Sequence, residues 1–216
     1  MVARNDGSAG AAQEDGSGDR RFLDLRRDIL EASGNVSCVI DSDRVIAYCN
    51  PAWDRFAVAN NGAHATAEFV IGRKLDEFIP EAMRRFYNDV FSIAQAPRIV
   101  KFDYDCSSPD LYRCFRMEVV FLRRYGGFLI NNALRLEKPH HDVGNVVFAP
   151  DSFRYEGENG LIVMCCNCRK TRRHEERNTW DWVPDHFQRA STTVSHGICP
   201  ICSSLLYPEL VATTAG

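Results

Sequence analysis

Val36-Ser37-Cys38-Val39-Ile40-Asp41-Ser42-Asp43-Arg44-Val45-Ile46-Ala47-Tyr48-Cys49-Asn50-Pro51-Ala52-Trp53 decides how the larger part of this chain folds. Val36, Cys38 and Ile40 take alternate positions, the two-residue period of a strand with one buried face. Asp41-Ser42-Asp43 supplies side chains that bond their own backbone and turn the chain. Val45, Ile46 and Tyr48 continue as a second strand, so residues 36–48 predict a hairpin. Asn50-Pro51 then predicts a helix start. Asparagine caps the first free N–H groups, and proline at the first helical position loses a donor that had no partner anyway. Trp53, Phe56 and Ala57 form the expected buried face of that helix.

Upstream, Phe22, Leu25, Ile29 and Leu30 fall at helical spacing, so residues 20–35 predict an amphipathic helix closed by Ser33-Gly34-Asn35. Such a helix is expected to cap the next domain or to pair with its copy. Residues 1–19 are rich in Gly, Ala, Ser and Asp and are expected to be a disordered tail. Downstream, 60–67 reads as a small polar loop, and 81–94 as an amphipathic helix with Met83, Phe86, Tyr87, Val90, Phe91 and Ala94 on one side. Strand patterns follow over 98–105, 112–122 and 127–136. Turns at Ser107-Ser108-Pro109-Asp110 and Arg124-Tyr125-Gly126-Gly127 separate them. Two strands, then helices, then three strands imply an α+β domain: an antiparallel sheet with helices on one face.

These residues, in this order, resemble a PAS sensor domain over about residues 22–137, with the sensor proper at 36–137. Residues 43–53 look like its second strand and first helix, and Ile71-Gly72-Arg73-Lys74-Leu75 like its central segment. Tyr104-Asp105-Cys106-Ser107-Ser108-Pro109, with 113–119 after it, is similar to a hairpin of a bacterial subgroup. The resemblance implies a five-stranded sheet, a pocket between sheet and helices, and roles in sensing and in homodimer formation.

The pocket candidates are Trp53, Phe56, Phe69, Phe86, Tyr87, Phe102 and Phe115, with plain core packing as their other reading. A haem or flavin is disfavoured. The helix 81–94 holds no histidine to serve as an axial ligand, and the cysteine motif of light-sensing flavin domains is absent. The resemblance implies a pocket without specifying its ligand. Cys106 and Cys114 flank a turn as a conceivable redox pair, with buried structural thiols as the commoner case. Arg113 and Arg116 offer an anion contact or a solvated strand face.

Near the C-terminus stand Cys165-Cys166-Asn167-Cys168 and Cys199-Pro200-Ile201-Cys202. Two C-x-x-C steps joined by a loop predict a four-thiolate structural zinc site at Cys165, Cys168, Cys199 and Cys202. Such a site staples a segment too small to bury its own core. Cys166 is an alternative to Cys165, and His196 an alternative ligand, a donor to a thiolate, or a solvated histidine. The expected unit spans 160–210, after a linker at 138–159 and before a tail at 211–216. Trp180, Trp182, Val183, Phe187 and Val194 are expected to cover the metal, and Pro184 to open a helix through Ala190. Leu205, Leu206, Tyr207 and Leu210 are expected to close the unit, and Val146, Val147 and Phe148 to add a strand or pack on the sheet domain. This stretch resembles a small cysteine-rich tail found after PAS or receiver domains in bacterial signalling proteins.

The run Arg169–Arg177 carries five lysines and arginines, diluted by Glu175 and Glu176. A formal net charge of −3 and a pI of about 6.1 disfavour a general nucleic-acid or anionic-membrane binder. No P-loop, dinucleotide fingerprint or nucleophile elbow is present, so no enzyme is expected. Nine cysteines, an odd number, without a secretory signal pattern point to reduced thiols and a cytoplasmic location. The reading is a non-enzymatic signalling module with a possible signalling-protein partner. Its alternatives are a nucleic-acid-associated regulator acting through the basic run, and a thiol, haem or flavin redox sensor.

Overall fold

The computed structural model describes residues 26–96, 99–188 and 193–207. Expectations that fall on the N-terminal tail, Phe22, Leu25, Ala190, Leu210 and residues 211–216 lie outside them. The chain forms a five-stranded antiparallel sheet with helices on one face, followed by a small four-stranded sheet that carries the clustered cysteines.

The larger sheet is built from β1 (Val36–Ile40), β2 (Ile46–Cys49), β3 (Val100–Asp105), β4 (Leu111–Leu122) and β5 (Gly127–Pro139), in the order β2-β1-β5-β4-β3. This is the α+β arrangement the resemblance implies. The β1–β2 hairpin turns as expected: Asp41 Oδ1 accepts from the N–H groups of Asp43 and Val45 at 2.9 and 2.8 Å, and Arg44 takes a left-handed φ of 61°. The second hairpin, β4–β5, depends on two glycines. Gly126 has a φ of +77°, which favours glycine. A Cβ on Gly127 would lie 2.0 Å from the Ile40 carbonyl oxygen.

Asn50 organises the start of the domain. Its Oδ1 accepts from Trp53 N at 3.1 Å, capping α2 (Pro51–Ala59), and from Ser37 N at 3.0 Å. Its Nδ2 donates to the Leu30 and Asn35 carbonyls at 3.0 and 2.8 Å, tying down the end of α1 (Arg27–Ala32). Ser37 is buried on the β1 face that strict alternation assigns to solvent, satisfied by Asn50 and by Asn131 at 2.8 Å.

After α2 and the short α3 (Ala67–Val70), residues 71–75 run along β2. Gly72 N donates to Ile46 O at 2.8 Å and Ile46 N donates to Arg73 O at 2.9 Å. The helix α4 (Glu81–Ala94) has the bounds its apolar period predicts, and it lays Val90, Phe91 and Ala94 on Cys38, Ile40, Met117, Val119, Phe128 and Ile130. Burying each Val, Ile, Phe or Met side chain among them contributes about 1.5–3 kcal/mol. Arg116 pairs with Asp103 at 2.7 and 2.8 Å across β3 and β4, and Arg113, over the Phe56 ring, binds Glu137 and Asn60, so neither is an open anion contact. Cys106 and Cys114 are free thiols.

The small sheet, order β8-β7-β6-β9, joins β6 (Ile162–Cys165), β7 (Thr171–Arg172), β8 (Trp180–Asp181) and β9 (Val194–Gly197). It packs Ile162, Met164 and Val183 around Tyr155 of α5 (Ser152–Tyr155), with Phe148 and Val194. Tyr155 and Phe148 belong to the stretch expected to be a linker, yet they sit in this core. Val147 and Phe148 meet Trp182 rather than the larger sheet: Val147 bridges it, and Phe148 N donates to its carbonyl at 2.9 Å. Pro184–Gln188 is a 3-10 turn, not an α-helix. His186 within it is 1% exposed and bonds Thr171 at 2.9 Å, a tertiary tie that tightens the turn. Among the described residues, no helix is long and apolar enough to cross a membrane.

Candidate metal centre

β6 delivers Cys165, and the chain then folds back on itself. Cys165 N donates to Lys170 O at 2.8 Å, Arg169 N donates to Cys165 O at 3.0 Å, and Arg169 takes a φ of 63°. The second pair sits where α6 (Pro200–Leu206) begins, with Cys199 as its cap and Pro200 at its first position. The ligating atoms of Cys165, Cys168, Cys199 and Cys202 all lie within 4.8 Å of one another, and the Cys168 and Cys199 sulfurs are 3.7 Å apart. The four cysteines picked by spacing therefore converge on one point, with geometry able to bind a metal ion.

Backbone and amide N–H groups donate into the cluster. Cys199 N donates to Cys165 Sγ at 3.4 Å, Cys202 N to Cys199 Sγ at 3.4 Å, and Asn167 Nδ2 to Cys202 Sγ at 3.2 Å. Hydrogen bonds among the four sulfurs lower the pKa of Cys165 and Cys199 and raise that of Cys168 and Cys202, so protons distribute unevenly over the cluster. Trp180 and Ile198 pack on the cluster. Trp182, Val183 and Val194 do not cover it as expected: Val183 and Val194 join the sheet core, while Trp182 stacks on His140 at 4.0 Å and meets Phe187 edge-on at 5.0 Å. His196 is exposed on β9 and outside the cluster. Cys166 points elsewhere, into a contact with the larger domain, and burial raises its thiol to about 11.

That contact is the seat of the cysteine unit. Leu206 and Tyr207, with Cys166 and Ile198 beside them, pack on Ile79 and Met83 and on Phe86 and Tyr87 of α4. The Tyr207 hydroxyl donates to Ala82 O at 3.1 Å and accepts from Phe86 N at 3.2 Å. A second seat lies at the turn before β4. His140 bonds Ser108 O at 2.9 Å through Nε2 and stacks on Trp182. Between the two seats is an open cleft of about 540 Å³ walled by Tyr104, Asp105, Tyr112, Trp182, Cys168 and Leu205. Tyr112 Oη donates to Asp105 there at 2.9 Å, while burial raises the carboxyl's pKa. Asp105 and Tyr112 meet across the β3–β4 hairpin, and Leu205, expected to close the cysteine unit, is instead 73% exposed at the wall of this cleft.

The pocket candidates fall in three places. Phe86, Tyr87 and Phe102 interlock edge to face, with Phe86–Phe102 at 4.9 Å, and Phe86 and Phe102 border a groove of about 400 Å³ shared with Leu206. Trp53 packs on the main core and donates to Ala65 O at 2.7 Å, and Phe56 stands edge-on to the buried Phe115 at 5.5 Å. Phe69 is 53% exposed.

No protein-family model and no curated protein matches the chain. Among solved structures, it is similar to the PAS domain of nitrogen regulation protein NR(II) from Vibrio parahaemolyticus, at 13% identity over 51% of this chain and 98% of that one, with a TM-score of 0.34. It is similar to the PAS domain of Bordetella pertussis BvgS at 18% identity, over 56% of this chain and 96% of that one, with a TM-score of 0.42. A photoactive yellow protein domain from the sensor histidine kinase Ppr of Rhodospirillum centenum matches at 17% identity, over 50% of this chain and 93% of that one, with a TM-score of 0.35.

Proposed function

We propose that this chain is a non-enzymatic signalling module of a bacterial cytoplasm. Its sheet domain senses a small ligand or a partner, and a structural zinc unit reads that state through α4. The observation that carries the reading is the double use of Phe86. Its ring borders the groove, and its N–H and ring also hold Tyr207 of the cysteine unit. A ligand that displaces the Phe86 ring acts on the seat of the unit, which is the differential contact a two-state switch requires.

Zinc fits the four sulfurs. A Zn–S bond of about 2.3 Å in a tetrahedron places sulfurs about 3.8 Å apart, close to the 3.7 Å between Cys168 and Cys199. Four thiolates close the coordination shell, so the ion serves the fold. The chain acts as a homodimer: α1 buries none of its residues and leaves Ile29 55% exposed, an apolar position for its copy. The test is hydrogen exchange before and after chelation. The reading expects amides of residues 81–94 to lose protection when metal is removed; unchanged protection there contradicts it.

A further inference from the structure

The basic run Arg169–Arg177 is not one surface. Arg173 is spent inside the fold, donating to the buried Asp181 at 2.7 Å and to Glu176 at 3.0 Å. Thr171 is buried against His186. Arg172, the next residue on β7, instead lines a pocket of about 590 Å³ on the small sheet. Ser195 of β9, opposite Val163 of β6, lines the same pocket. His174 and Arg177 contribute from the loop that follows β7, and Asn159 from the loop before β6.

The Arg172 Nε is buried and has no hydrogen-bond partner. Among the described residues, neither Arg172 nor Arg177 forms a salt bridge. Guanidiniums that line the pocket without a salt-bridge partner are left to pair with an anion from solution. A guanidinium fork takes an oxyanion best. The pocket also holds Glu158, one carboxylate against two guanidiniums. Two forks, an imidazole and a hydroxyl offer more donors than the two oxygens of a carboxylate can use. They match a tetrahedral anion with three free oxygens.

We propose that this pocket binds a phosphoryl group. The site lies on the cysteine unit, away from the α4 groove, and gives that unit a recognition function of its own. It stands whether or not the sheet domain senses a ligand.

The test is calorimetric titration of the full-length, metal-loaded protein at low salt with inorganic phosphate, AMP and O-phosphoserine. Saturable binding is expected, weakened about tenfold by Arg172→Gln and by Arg177→Gln and unchanged by Arg135→Gln on β5. Circular dichroism and metal content show whether Arg172→Gln folds; Arg177 is exposed, so its variant keeps the test decisive. Tighter AMP assigns the site to a nucleotide, tighter phosphoserine to a phosphorylated protein, and equal affinities to free phosphate. Absence of saturable binding to all three overturns the proposal, as does equal loss in all three variants.

Discussion

Phe86 and Tyr207, 121 residues apart, share a hydrogen bond and a ring contact: the Phe86 N–H donates to the Tyr207 hydroxyl at 3.2 Å, and the rings meet edge to face at 5.8 Å. The same hydroxyl donates to Ala82 O, four residues before Phe86. The hydroxyl therefore reaches both the donor and the acceptor of one i to i+4 pair of α4. Tyr207→Phe is expected to cost only about 1 kcal/mol, because the helix can pair the two α4 groups with each other. Tyr207→Ala is expected to cost about 3 kcal/mol, because the ring leaves a cavity in the seat. Urea titrations of both variants measure the difference; equal costs would show that the ring contributes nothing.

Asn50 is 0% exposed and satisfies four backbone groups. Asn50→Ala is expected to destabilise by about 2–3 kcal/mol, combining a lost cap with unpaired buried groups. Asn50→Asp keeps the cap but leaves the Leu30 and Asn35 carbonyls without a donor, so it should fall between wild type and the alanine variant at pH 7. Thermal unfolding ranks the three.

Gly127→Ala places a methyl group against backbone at Ile40 and Asp41, with contacts of 2.0 and 2.8 Å that no side-chain rotation relieves. A loss of about 4 kcal/mol or failure to fold is expected. Gly34→Ala meets nothing within 4 Å, and its melting temperature should stay close to wild type.

Asp105 carries a sign that can be checked. Burial raises its pKa above the ordinary value of 3.8, against the Tyr112 hydrogen bond that lowers it. The native state therefore holds its proton longer than the unfolded chain. This group's contribution falls as pH rises from the unfolded pKa through the higher native one, and stays lost above it. Asp105→Asn, which still accepts from Tyr112, should flatten that slope and be no less stable than wild type at pH 7. A steeper loss of stability with rising pH in the variant would refute this.

How much of this was legible in the chain depends on the range of the forces involved. The helix α4 and the hairpin at Asp41–Asp43 follow from local period and turn chemistry, and they appear where expected. The four ligands follow from spacing, since each C-x-x-C turn is local and only one partner turn exists. The small sheet was not legible. β7 and β8 have two residues each, too short for a period, and β6 pairs in parallel with β9 across a long loop. Trp182 likewise reads as a metal cover from sequence, yet its neighbour is His140, inside the expected linker. Docking decides such contacts, and docking leaves no local pattern.

Ligand identity separates cleanly by substitution. Cys165→Ser is expected to abolish stoichiometric metal binding, while Cys166→Ser retains it and loosens only the seat on α4. Metal retention by the first variant with loss by the second would move the ligand from Cys165 to Cys166.

The most direct measurement is metal content of the purified wild-type protein by elemental mass spectrometry, with its visible spectrum recorded beside it. One zinc per chain and a colourless solution are the expected result. Iron with a Soret or sulfur-to-iron band, or a chain free of metal with its cysteines in disulfides, would contradict the account of a zinc unit seated on α4.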